Sequence, residues 1–130
     1  MAEQQVATRK QPGRYAYDGL DRVIHEKARL SIVSSLAGHA DGLLFNELKE
    51  VCALTDGNLS RHISILQDAA LVEVWKRLRN NRSQTLVRLT AQGRQRFLEY
   101  LEQLEQVIAD ANKAGAADFE SGRLNARPTL

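Results

Sequence analysis

Aromatic residues are scarce in this chain: Phe, Trp and Tyr together make up 5% of its 130 residues. Any core must therefore be assembled mainly from Leu, Val, Ile and Ala. Cysteine occurs once, at Cys52, which excludes an internal disulfide and fits a reducing compartment. No apolar run approaches the roughly 20 residues needed to cross a bilayer, and the opening residues hold no apolar stretch of the kind that marks a secretory signal. These absences predict a soluble, cytoplasmic protein with no membrane partner. Catalytic signatures are missing too. There is no phosphate-cradling glycine loop, no Ser or Cys in a nucleophile motif, and no carboxylate pair in an apolar setting that would raise a pKa. His25, His39 and His62 are scattered, with no zinc-ligand spacing. Neither an enzyme nor a metal or cofactor is expected. A dominant charge sign is also lacking. The chain has 18 Lys and Arg against 16 Asp and Glu, a net +2, so only segregation of the charges could point to nucleic acid.

What is present fits one globular domain with arms: 43% hydrophobic and 26% charged residues are near the average for such proteins. Residues 1–17 are polar and aperiodic, which predicts a flexible arm made basic by Arg9, Lys10 and Arg14. Residues 114–130, rich in Ala and Gly, predict a frayed tail. Between them, apolar residues at helical steps predict a helix over Leu20–Leu36, capped by Asp18 and ended by Gly38. The spacing slips around His25–Lys27, so one helix and two helical pieces are both compatible with it. His39–Gly42 reads as a turn and Leu43-Leu44-Phe45 as a short strand. Asn46 is placed to cap a helix over Asn46–Cys52. Thr55 and Asp56 then offer a cap for a helix over Asp56–Ala69, whose apolar stripe is Leu59, Ile63, Leu66 and Ala70.

The period then changes from 3.6 to 2. Leu71–Arg77 and Gln84–Leu89 read as two strands, and Leu78–Ser83 between them as a turn in which Asn80-Asn81 suits positive φ. Thr90 caps a last helix whose Phe97, Leu101, Leu104, Ile108 and Ala111 repeat at steps of four and three. Helix, short strand, helix, tight turn, helix, hairpin, helix is the layout of a winged helix-turn-helix, mainly α with a small β-hairpin wing (α+β). The predicted division is an arm over 1–17, the winged helix over 18–97, a dimerisation helix over 98–113 and a tail over 114–130.

That layout has a direct use. A B-DNA major groove admits one α-helix. Opposite its apolar stripe, the helix from Asp56 carries Asn58, Ser60, Arg61, Ser64 and Gln67, groups able to read base edges or hold phosphates. Its N-terminal amides favour phosphate. Lys76, Arg77, Arg79 and Arg82 fall within residues 76–82, a stretch with no acid, which suits a wing lying on the backbone or entering the minor groove. From Leu98 to Asn112 the only charges are Glu99, Glu102, Glu105 and Asp110. The near-neutral total thus conceals a basic wing and an acidic helix.

Three motifs also carry a resemblance. Thr55-Asp56-Gly57-Asn58-Leu59-Ser60-Arg61-His62-Ile63-Ser64-Ile65-Leu66 resembles the recognition helix of winged-helix regulators of the broad MarR and ArsR superfamily. Gln67-Asp68-Ala69-Ala70-Leu71-Val72 resembles its exit into the wing, and Leu89-Thr90-Ala91-Gln92-Gly93-Arg94 the junction after the wing. The resemblance covers about residues 20–108. It implies a dimeric transcriptional regulator whose Asn58, Ser60, Arg61 and Ser64 face the groove. Ala70 departs from the pattern, since many relatives have glycine there. A left-handed Ala70 costs roughly 1 kcal/mol, so either the turn differs or the strain is accepted.

The remaining residues have plainer roles. His62 is expected to be semi-buried, Cys52 a small core residue and Trp75 a packing anchor under the hairpin. Phe97, Leu98 and Leu101 are expected to pack on their own domain. Leu101, Leu104, Val107, Ile108 and Ala111 form the predicted dimer seam, together with the Leu20–Leu36 segment. The expected partners are duplex DNA and a second copy of the chain. A small-molecule effector stays open, as does the alternative of a winged helix that binds protein rather than DNA.

Overall fold

The computed structural model describes residues 11–120. Arg9 and Lys10 of the predicted arm, and the end of the predicted tail, lie outside them. Among the described residues the elements are α1 (Lys27–Ala37), β1 (Leu43–Leu44), α2 (Phe45–Cys52), α3 (Asp56–Asp68), β2 (Val72–Arg79), β3 (Arg82–Leu89) and α4 (Ala91–Glu120). The strands form one antiparallel sheet in the order β1-β3-β2. This is the winged helix that the pattern predicts. The chain falls into two compact units, Leu20–Tyr100 and a second that joins the residues up to Gly19 with those from Leu101.

The first helix starts later than its apolar spacing suggested. Asp21 Oδ1 accepts the amides of Val23 (2.9 Å) and Ile24 (3.3 Å), which closes a local turn in place of helix. The helix begins at Lys27, where the Glu26 carboxylate accepts from Ala28 (3.0 Å) and Arg29 (2.9 Å). Glu26, not Asp18, is therefore the cap. A carboxylate close to the first helical amides outcompetes one further upstream. Gly38 does close the helix, with an ordinary φ of −81°. Gly42 has the stronger need to be glycine: its φ is +91°, and a Cβ there would stand 2.6 Å from the Val87 carbonyl oxygen.

Asn46 does not cap α2, which begins at Phe45. Glu47 Oε1 accepts the Leu44 amide at 2.8 Å, so a side chain from inside the first turn reaches back to the residue that opens the helix. At α3 the expectation holds, with Thr55 Oγ1 accepting the Asn58 amide at 3.2 Å. Leu59 and Leu66 are fully buried and Ile63 is 7% exposed, so these three form the core face of α3. Ala70, placed on the same stripe by spacing, is instead exposed. It is left-handed at φ +61°, which settles the question about this turn: alanine accepts the strain where glycine would have none.

The wing is longer and its turn tighter than predicted. Strands β2 and β3 stay paired out to Arg79↔Arg82, so Asn80 and Asn81 alone make the turn, at φ +53° and +62°. Both positive angles mark the turn type whose twist matches a hairpin. At the other end Thr90 Oγ1 accepts the Gly93 amide (2.8 Å) and donates to the Ala70 carbonyl (2.7 Å), while the Thr90 amide donates to Leu71 (3.0 Å). A Cβ on Gly93 would overlap the Leu71 carbonyl oxygen. The start of α4, the end of α3 and the foot of the wing therefore meet at one place, through backbone atoms. Helix α4 continues to Glu120, beyond the predicted end at residue 113.

In the unit that holds the rest of α4, Arg14 donates twice to Asp110 (3.0 and 2.9 Å) and Tyr17 donates its hydroxyl at 2.6 Å. Hydrogen bonds from Arg14 and Tyr17 hold the Asp110 carboxyl well below the usual carboxylate range. The Arg14 charge, expected to be part of a free basic arm, is thus neutralised within the chain. No helix among the described residues is long and apolar enough to cross a membrane.

Candidate nucleic-acid interface

Helix α3 presents two unlike faces. Leu59, Ile63 and Leu66 face the core, while Asn58, Ser60, Arg61, Ser64 and Gln67 are all exposed. The end of the helix is held from beneath. Arg96 donates to the Ala69 carbonyl (3.0 Å) and pairs with Asp21 (2.7 Å). In the middle of the helix stands His62, 6% exposed. Arg29 Nη1 lies 3.2 Å from its Nδ1, a contact in which the guanidinium can only donate. Glu26 Oε2 lies 3.7 Å from the same atom, and Arg61 Nη2 lies 3.5 Å from Nε2. Burial pushes the His62 pKa down. Glu26 opposes this, and the Arg61 and Arg29 charges add to it. The predicted semi-buried role of His62 becomes a buried link between α3 and the start of α1. Glu26 and Arg29 were not singled out from sequence, because the partners lie more than thirty positions from His62.

The hairpin register sorts the wing cations into two groups. Residues opposite each other in an antiparallel pair share a face. Val74↔Val87, Lys76↔Thr85 and Leu78↔Ser83 point one way, while Trp75↔Leu86, Arg77↔Gln84 and Arg79↔Arg82 point the other. Lys76 belongs with α3. Together with Val74 and Thr85 it lines a groove of about 240 Å³ whose other wall is Ser60, Ser64 and Gln67. Arg77, Arg79 and Arg82 stand on the opposite face or at the tip, where Arg79, Asn80, Arg82 and Gln84 border an open hollow. All four cations are exposed.

Three other expectations change. Trp75 is not a packing anchor but 51% exposed, on the wing face that also carries Glu73, Arg77 and Arg79. Leu98 is 49% exposed rather than packed. The aromatic core residue of α4 that periodicity passed over is Tyr100, at 1% exposure, stacked on Phe97 and 2.7 Å from His25 Nδ1 through its hydroxyl. Cys52 is half-buried, its thiol 3.7 Å from the Ser35 hydroxyl. Along the predicted seam, Leu104 and Val107 are half-buried, while Leu101, Ile108 and Ala111 are exposed, Ile108 by 58%.

A capped helix with one polar exposed face, followed at once by a basic two-stranded wing, defines a winged-helix DNA-binding domain. The winged helix DNA-binding domain family matches residues 28–108, and the chain belongs to that family. An uncharacterized protein of Methanocaldococcus jannaschii is 33% identical over 86 residues, which span 66% of this chain and 92% of that protein. Among solved structures, a transcriptional regulator homologue from Pyrococcus horikoshii superposes with a TM-score of 0.64 at 25% identity, covering 85% of this chain and 98% of that one. The S. aureus MepR–DNA complex superposes at 0.62 with 15% identity, covering 93% and 97%, a likeness of fold. The family is thus one of DNA-binding domains, and the Pyrococcus horikoshii neighbour is described as a homologue of a transcriptional regulator.

Proposed function

We propose that this chain is a sequence-specific regulator of transcription that binds duplex DNA as a homodimer. Helix α3 enters the major groove with Asn58, Ser60, Arg61 and Ser64 toward the base edges, and the wing lies on the backbone or in the minor groove. The observation that carries this reading is the groove between α3 and β2, where Lys76 joins the polar face of the helix. One phosphate-binding cation thus borders the surface that reads bases, while Arg77, Arg79 and Arg82 extend the interface along the backbone. The dimer rests on the exposed seam residues Leu101, Ile108 and Ala111, flanked by Leu104 and Val107. Their burial against a second copy contributes at about 25 cal/mol per Å². Two copies then present two recognition helices to half-sites about one DNA turn apart.

The test is a titration of labelled duplex followed by fluorescence anisotropy at several salt concentrations. Mixed-sequence duplex should bind with a Kd of about 10⁻⁴ to 10⁻⁶ M near physiological salt, and more tightly as salt falls. Arg79→Ala/Arg82→Ala should reduce the salt slope by about 2, one for each phosphate that is no longer neutralised. On an operator selected from a random library, Arg61→Ala should weaken binding and relax the sequence preference. A folded protein that leaves duplex unbound at low salt sinks the reading and favours a protein-binding winged helix. Sedimentation equilibrium tests the dimer separately, with Ile108→Glu expected to give monomers.

A further inference from the structure

The outer face of the wing is built differently from the face beside α3, and the duplex contacts proposed for its arginines leave its exposed aromatic ring without a role. Trp75, the only tryptophan of the chain, lies half open to solvent there. Two residues of the neighbouring strand flank it. Leu86 stands opposite it in the register. Arg88 is pinned by Glu73 through its Nε (2.7 Å) and Nη2 (2.6 Å), which sets its guanidinium 5.9 Å from the indole centre. That pair is neutral overall. The free positive charge lies toward the tip. Arg77, which also donates to Gln84 (3.3 Å), and then Arg79 follow Trp75 at alternate positions of the same strand, steps of about 7 Å. Arg82 stands opposite Arg79. Arg79, Asn80, Arg82 and Gln84 border an open hollow of about 610 Å³.

An exposed aromatic ring followed along a strand by evenly spaced cations is the chemistry that holds single-stranded nucleic acid: bases stack on the ring and phosphates track the charges. Intact duplex offers the indole little, because each of its bases is already covered on both sides by its neighbours. We propose that the outer face of the wing binds single-stranded DNA, with an unpaired base stacked on Trp75 and the following phosphates on Arg77, Arg79 and Arg82. The occupant is DNA because the same wing is the part of the chain that meets DNA in the proposed function. A strand released from a locally opened duplex is then the single strand nearest to it. The inference rests on that reading for its choice of occupant, but not for the geometry of the face.

Because Trp75 is alone of its kind, its fluorescence reports on this face and nowhere else. Full-length protein would be titrated with oligo-dT, exciting where tyrosine does not absorb, and in parallel with a duplex of equal length. Oligo-dT is expected to quench the emission, and to bind Trp75→Ala about five-fold to a hundred-fold more weakly, the range for loss of one stacked base. Trp75→Phe should restore most of that affinity, since phenylalanine keeps a ring to stack on. Duplex affinity of Trp75→Ala should stay within about two-fold of the parent. Oligo-dT binding with unchanged emission and full affinity in Trp75→Ala would mean that the arginines alone hold phosphate, and overturns the proposal. Duplex binding without any oligo-dT binding also overturns it and leaves the duplex reading intact. If the folded protein binds neither, both fall.

Discussion

The recognition helix and the wing follow each other in sequence, yet they are stabilised by opposite means. Helix α3 is held by depth. Leu59 and Leu66 are fully buried, Thr55 caps its start, Arg96 holds its end, and Arg29 reaches His62 from beneath. The wing is deep only at its foot, where Val72, Val87 and Leu89 are buried, and every residue from Trp75 to Ser83 is exposed. Beyond its foot the hairpin stands on its own ladder and on the Asn80–Asn81 turn. The surface proposed to read bases is thus fixed by the core, whereas the charged surface of the wing rests on few buried contacts beyond its foot. A rigid helix lowers the ordering cost of reading bases, and phosphate contacts need less definition.

Several changes would break or sharpen this contrast. The largest effect is expected from Leu66→Ala, which removes a fully buried side chain and should cost about 2–5 kcal/mol in chemical denaturation. Leu78→Ala in the wing, 78% exposed in the parent, should stay within about 0.5 kcal/mol. Equal losses at the two sites would abolish the contrast. Gly93→Ala puts a methyl group against the Leu71 carbonyl and should cost about 1–3 kcal/mol, read as a lower thermal midpoint. Ala70→Gly relieves a left-handed alanine and should gain up to about 1 kcal/mol. A loss there would show that the exit from α3 is not strained.

A pH series tests the buried link. Burial lowers the His62 pKa in the folded chain, so between that value and the ordinary histidine pKa of about 6.5 the unfolded chain binds more protons. Stability should be at its full value above that ordinary pKa and fall as the solution is acidified through the window. His62→Gln, which cannot take up the proton, should flatten this part of the profile. An unchanged slope in the variant would place the acid sensitivity elsewhere.

The sequence foretold the order of elements because each carries its own period. The Leu59, Ile63, Leu66 stripe announces a helix, and the shift to alternation after Leu71 announces the hairpin. Asn80-Asn81 and Thr90 were readable because turn and cap chemistry is local. Misreadings arose where a residue's surroundings come from distant parts of the chain. Spacing could not show that Asp21 closes a turn before α1, nor that Glu26 and Arg29 reach His62. Trp75 departs from expectation for a different reason: an aromatic ring favours burial, but in a strand parity decides which face it takes. Its partners at alternate positions are Glu73, Arg77 and Arg79, a polar set that already placed it on the open side. The four wing cations were recognised as a cluster, but their division between two faces depends on hairpin register, which the turn length fixes.

The junction at Thr90 and Gly93 bears on how such a protein diversifies. It joins the exit of α3, the foot of the wing and the start of α4 through Thr90 and the carbonyls of Ala70 and Leu71. Among the described residues, the side chains of Asn58, Ser60 and Ser64 make no hydrogen bond that this scaffold depends on. If those three positions read bases as proposed, substituting them changes the message without disturbing the frame that presents it. A duplicated copy of this chain could acquire a new target by a handful of surface changes, each nearly neutral for folding, while the junction stayed under strict selection.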